Sequence, residues 1–113
     1  MHEYSVAYDI FKTAARAAHE NNATEVFVVH VDFGELSMIN PEQVHFLWEI
    51  MREEEPVLAK AKLQYRLVPA KTRCICGYEG NEKFVCPNCG KLPEVLEGRE
   101  ICVTNLEIEV DEE

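Results

Sequence analysis

Apolar residues recur along the first twenty positions at helical intervals. Val6, Ile10, Ala14 and Ala17 follow one another at steps of four, four and three, flanked by Ala7, Phe11, Ala15 and Ala18. That spacing predicts one amphipathic helix from Glu3 to about Asn21, and the pair Asn21-Asn22 suits a left-handed cap at its end. The pattern then changes. "EVFVVHVDFG" is a short run of β-branched and aromatic residues closed by Gly34, and it reads as a strand buried on both faces or nearly so.

"INPEQVHFLWEIMREEEP" restores the helical period with clear punctuation. Asn40 is placed to cap, Pro41 to occupy the first helical position, and Gln43 to sit three residues after the cap. Val44, Leu47, Trp48 and Met51 form the inward stripe, and Pro56 marks the end. In "KLQYRLVP", Leu63, Tyr65 and Leu67 alternate with Lys62, Gln64 and Arg66, which predicts a strand with one wet face. The tail "REICVTNLEIEV" alternates too. Its apolar phase slips between Val103 and Leu106, as a bulge near Thr104 would cause.

Between these strands, residues 70–98 lose their large apolar side chains and gain cysteines and glycines. Such a segment cannot build a core and must be held by something else. The order helix, strand, helix, strand, insert, strand predicts an α+β fold. A small mixed sheet of about three strands packs with two helices, formed by residues 1–69 and 99–113, and 70–98 is an inserted zinc-ribbon subdomain.

Composition narrows the function. The 113 residues are 47% hydrophobic, enough for one core, and the net charge of −10 would repel a nucleic-acid backbone. No run approaches the roughly 20 apolar residues of a membrane span. The acidic first decade lacks the basic start of a signal peptide. The expectations are a cytoplasmic location, no nucleic-acid or membrane partner, and a monomer or weak homodimer.

Four of the five cysteines, Cys74, Cys76, Cys86 and Cys89, lie within sixteen residues. Without a secretory signal, that clustering reads as a metal site rather than a disulfide framework. "CPNCG" has the form of a zinc knuckle, with two thiolates three positions apart and Gly90 freeing backbone N–H groups to face sulfur. "CICG" is tighter by one residue. Either all four thiolates bind zinc, the favoured reading, or three bind and Cys102 or a histidine completes the shell; a rubredoxin-like iron cage is the competitor. Four thiolates close a tetrahedral site, so the zinc is structural. Cys102 itself reads as a small core residue.

His2 poses a separate question. The α-amine of a retained Met1, the backbone nitrogen of His2 and its imidazole can converge on one ion in fused, nearly planar chelate rings. Planar nitrogen donation suits Ni(II) or Cu(II) better than zinc, and Glu3 can complete or cover the plane. His19 reads as a solvated helix-end residue and His30, within its strand, as a satisfied core histidine, while His45 is a distant candidate for assisting nickel. No acid–base pair, phosphate-cradling glycine loop or open zinc position points to catalysis.

Taken in order, "MHE" with Ser5, "GEL" at Gly34 to Leu36, Cys76-Gly77, "CPNCG" and the closing strand resemble the HypA family of hydrogenase maturation factors over the whole length. The resemblance implies a nickel metallochaperone: an α/β nickel-binding domain with a structural zinc ribbon. Such a protein delivers Ni(II) to the large subunit of [NiFe]-hydrogenase together with the GTPase HypB, and some relatives also supply urease. It implies nickel roles for His2 and Glu3, and zinc roles for Cys76, Cys86, Cys89 and, one residue closer than usual, Cys74. The family's second acidic position, near the start of helix two, falls on or near Asn40, a weaker donor. The rival reading is a zinc-ribbon interaction module without a nickel role.

Overall fold

The computed structural model describes residues 2–81 and 85–110, with the His2 side chain outside that set. Helix α1 (His2–Glu20) leads through Asn21 and Asn22 into strand β1 (Ala23–Gly34). Asn22 has φ 56°, and the Asn21 N–H returns to the Ala17 carbonyl at 3.1 Å. The asparagine pair is thus the left-handed stop that its sequence indicates. Helix α2 (Pro41–Met51) follows, then two 3₁₀ turns (Arg52–Glu54 and Pro56–Leu58) and strand β2 (Lys62–Val68). Three short strands, β3 (Lys71–Arg73), β4 (Glu79–Gly80) and β5 (Glu94–Glu97), precede β6 (Ile101–Val110).

Two sheets result. The larger has the order β2-β1-β6, with β1 parallel to β2 and antiparallel to β6; the smaller has the order β4-β3-β5. The architecture is therefore the mixed three-stranded sheet with two helices that the periodicity predicts, carrying a second small sheet between β2 and β6. The bulge is present: His30 pairs with Asn105 and Val31 with Val103, so Thr104 is skipped.

Helix α1 presents Ala7, Ile10, Ala14 and Ala18 to the core, a seam one position removed from the Val6 and Ala17 ends of the expected stripe. Three alanines in that seam let the helix axis lie close to the sheet. Helix α2 buries Val44, Trp48 and Met51, with Leu47 half-buried. The indole Nε1–H donates to the Ala61 carbonyl at 3.1 Å, and an Arg52 guanidinium N–H donates to the same oxygen at 2.8 Å. This satisfies the buried Trp48 polar atom and ties α2 to the start of β2.

One expectation needs correction. β1 is not buried on both faces: Val29, Val31 and Phe33 face the helices, whereas His30 and Asp32 lie on an open face of the sheet. That face carries ion pairs instead of a second layer. His30 meets Glu107 at 2.6 Å, and Arg66 grips Asp32 through two bonds of 2.6 and 3.2 Å. The two-helix layer covers only one side.

The smaller sheet is joined to the larger at the end of β1. Gly34 N–H donates to the Glu100 carbonyl, Glu35 N–H to Val68, and Leu36 N–H to Gly98 (2.8, 2.8 and 2.6 Å). The Glu35 carboxylate then accepts from Ala70 N–H at 2.8 Å. Both strands that connect the sheets are thus pinned to three consecutive residues, the "GEL" of the sequence.

Candidate metal sites

Cys74, Cys76, Cys86 and Cys89 converge at the far end of the small sheet, their sulfurs all within 4.8 Å of one another. Cys74 Sγ lies 3.2 Å from Cys89 Sγ, and Cys76 Sγ 3.7 Å from Cys86 Sγ. Zinc–sulfur bonds of about 2.3 Å in a tetrahedron require sulfur–sulfur edges of about 3.8 Å. Both spacings lie below that value, and all four sulfurs stay within 4.8 Å of one another, so with small side-chain adjustments the donor set fits a four-coordinate zinc ion. The short Cys74–Cys76 spacing does not keep Cys74 out of the cluster. Cys102 is outside it, exposed on the open face of the larger sheet rather than in the core where its strand pattern had put it.

Each cysteine loop is closed by its own backbone. Cys74 N–H donates to Tyr78 O (2.7 Å) and Gly77 N–H to Cys74 O (2.9 Å). In the second loop, Cys86 N–H donates to Lys91 O and Gly90 N–H to Cys86 O, both at 2.8 Å. Gly77 and Gly90 have φ of +96° and +78°, a backbone conformation for which glycine is suited and which each tight turn requires.

The Asn88 side-chain amide reaches across from the second loop and donates to Cys76 Sγ at 3.5 Å. That bond, with help from the Tyr78 backbone N–H, lowers the Cys76 pKa to about 6. Cys74 moves the other way, to about 12. The Cys76 backbone N–H acts to lower it, but bonding to the Cys89 thiol, burial and the other thiols outweigh that effect. As free thiols, Cys74 and Cys76 are thus pushed apart in their ionisation; a dication favours the thiolate form and removes that conflict. Asn88 is a contributor that cysteine spacing alone did not reveal. Its position inside "CPNCG", facing a sulfur-rich turn, is the only sequence signal it leaves.

Helix α1 starts at His2 beside the start of α2. Asn40 N–H donates to Glu3 Oε2 at 3.3 Å. The Asn40 side-chain oxygen accepts from Glu42 N–H and Gln43 N–H at 3.0 and 3.3 Å, so it serves as the N-cap. Glu3 and Asn40, read from sequence as a nickel-site residue and its weaker companion, are therefore neighbours. Met1 and the His2 side chain lie outside the described residues.

The other histidines each have a carboxylate partner: His19 with Glu55 (3.2 Å), His30 with Glu107 (2.6 Å) and His45 with Glu49 (3.4 Å). None of them joins a second cluster of metal-binding side chains among the described residues. His19 is mostly solvent-exposed, while His30 is a part-exposed residue of the open face rather than a core histidine.

Comparison with known proteins decides the family. Residues 1–108 match the family model for HypA, described as a hydrogenase/urease nickel incorporation metallochaperone. The chain belongs to the HypA family. It is 44% identical to the hydrogenase maturation factor HypA of Methanocella arvoryzae, over 97% of this chain and 100% of that one. The HypA of Methanothermobacter thermautotrophicus is 38% identical, over 96% and 98%. The fold is that of two HypA solution structures, each with TM-score 0.75. One is the Ni metallochaperone HypA from Helicobacter pylori, 24% identical over 96% of this chain and 98% of that one. The other is described as HypA protein, 26% identical over 98% of each.

Proposed function

We propose that this protein is a nickel metallochaperone that takes up Ni(II) at its amino-terminal segment and supplies it during [NiFe]-hydrogenase maturation. The HypA match over residues 1–108 carries the reading. The ligands are the Met1 amine, the His2 backbone nitrogen and imidazole, and the Glu3 carboxylate. The Glu3 bond to Asn40 N–H, at 3.3 Å, is long enough for a metal to displace. Asn40 is engaged as a helix cap and lends position rather than a donor atom.

A terminal chelate also meets the thermodynamic requirement of a carrier. Copper outcompetes nickel on raw affinity, so a chaperone must hold its cargo loosely enough to release it. Protons compete for the amine and imidazole, so nickel affinity falls as pH drops. Zinc is bound by Cys74, Cys76, Cys86 and Cys89 in the insert formed by residues 70–98, and it has no part in any catalytic step. The GTPase HypB and the hydrogenase large subunit are the partners, and the cytoplasm is the site of action. No helix among the described residues is long and apolar enough to cross a membrane.

The test is a Ni(II) titration of the zinc-loaded protein, followed by calorimetry and by the weak d–d absorption of planar nickel. Wild type should show one site that weakens from neutral to mildly acidic pH. His2→Ala, and a variant with one residue added before Met1, should lose the band while keeping the fold. If all three proteins behave alike, the nickel role fails and a zinc-ribbon interaction module is left.

A further inference from the structure

The four clustered cysteines divide into two kinds. Cys74 and Cys86 are 2% and 1% exposed, whereas Cys76 and Cys89 are open to solvent. The buried member begins each loop, and its own backbone closes that loop. Cys74 N–H donates to the Tyr78 carbonyl while the Cys74 carbonyl accepts from Gly77 N–H, and Cys86 repeats the arrangement with Lys91 and Gly90. The exposed member follows at the turn. Since all four sulfurs lie within 4.8 Å of one another, the exposed pair forms one edge of the cluster and the buried pair the opposite edge. A competing thiol, chelator or alkylating agent arriving from solvent therefore meets Cys76 or Cys89 first.

Of these two, Cys76 is held from the other loop. The Asn88 Nδ2–H donates to Cys76 Sγ at 3.5 Å across 12 residues of chain. Asn88 is itself carried on a stiff turn. Pro87 precedes it with a fixed φ, and the turn closes through Gly90, whose φ of +78° brings its N–H to the Cys86 carbonyl at 2.8 Å. A thiolate that binds a metal keeps spare lone pairs. An N–H aimed at that sulfur draws charge away from it, which makes it a weaker base and a weaker nucleophile toward an attacking reagent.

We infer that Asn88 is a positioning residue of the zinc site, a latch that keeps Cys76 in its ligand place. Cys74 and Cys86 are then the fixed half of the donor set, and Cys76 is the residue that yields first once the amide is gone. The inference rests on the assignment of zinc to these four cysteines, so zinc content is measured before anything else. Less than one zinc per wild-type chain overturns that assignment and the inference with it.

The experiment challenges the zinc-loaded full chain with an excess of the chromophoric chelator 4-(2-pyridylazo)resorcinol while iodoacetamide is present, and peptide mass spectrometry reads the order of labelling. In wild type, Cys76 should be labelled before Cys74 and Cys86. Asn88→Asp keeps the shape and removes the donor; Asn88→Ala removes the whole amide. Each should still bind one zinc, yet release it to the chelator about 10-fold faster, with Cys76 labelling accelerated ahead of the other three. In the zinc-free protein the same Asn88→Ala variant should label more slowly at Cys76, because the amide also favours the thiolate. That reversal of sign between the two states identifies the bond to sulfur, since a residue that merely stiffened the turn would speed labelling in both. Release and labelling unchanged in both variants overturns the role of Asn88 while leaving the zinc assignment intact. Labelling of Cys74 or Cys86 first in wild type overturns the division into fixed and yielding ligands, whether or not the variants fold. Circular dichroism and Trp48 emission of each variant identify any loss of the main fold.

Discussion

Among the four clustered cysteines, Cys76 is the exposed thiol that Asn88 and the Tyr78 backbone N–H stabilise as a thiolate, at a pKa of about 6. At neutral pH the zinc-free protein should therefore alkylate first at Cys76, with Cys74, buried and raised to about 12, last of the four. Mass spectrometry of peptides after a short iodoacetamide pulse reads the order directly. Asn88→Ala should slow Cys76 labelling, and zinc should protect all four while leaving exposed Cys102 reactive. Labelling of Cys74 before Cys76 would contradict the assigned role of Asn88. Asn40 offers a second test at this scale. Its side chain satisfies two N–H groups of α2, so Asn40→Ala should cost about 1 kcal/mol in urea denaturation. The cap was legible in "NPEQ" because its chemistry is local. The Glu3 contact was not, because it joins residues 37 positions apart.

Whole elements were legible to the degree that burial imposed a single period on them. The bulge at Thr104 could be read because apolar phase must slip where a strand gains a residue. β1 misled because its open face also carries apolar side chains, Phe27 among them, so the period-2 signal blurs into a continuous run. Cys102 was misplaced for a related reason, since strand alternation alone does not say which face is covered. Gly34 shows how an element end can matter more than its interior. A Cβ there would lie 2.3 Å from the Gly98 carbonyl oxygen, backbone against backbone, with no flexible group to yield. Gly34→Ala should therefore destabilise the zinc-loaded protein by about 2–3 kcal/mol and loosen both connections to the small sheet. Amide exchange at Leu36 and Ala70, whose N–H groups bond across that junction, is the readout. Unchanged protection there would mean that the strands are held elsewhere.

For the whole molecule, the decisive asymmetry is between two kinds of stabilisation. The contiguous apolar core draws its buried residues from the stretch Ala7 to Leu63 and receives Ile101, Val103, Leu106 and Ile108 of β6 at its margin. The small sheet contributes nothing to it: among the described residues of the insert, those buried are Ala70, Thr72, Pro93, Gly98 and two of the four clustered cysteines. Structural zinc supplies about 10–16 kcal/mol to small metal-dependent domains, far more than so few buried groups can. Chelating the zinc should consequently unfold the insert locally and leave the helices and the β2-β1-β6 sheet intact. Hydrogen exchange followed by mass spectrometry should show protection lost across β3 and β5 and retained around Trp48. A single cooperative loss across both regions would show instead that the "GEL" junction couples them into one folding unit. The distinction bears on function. With separate units, zinc loss would spare the amino-terminal segment that we assign to nickel, and Ni(II) titration of the chelated protein would still show the site. With one unit, the zinc knot would be a condition for carrying nickel at all.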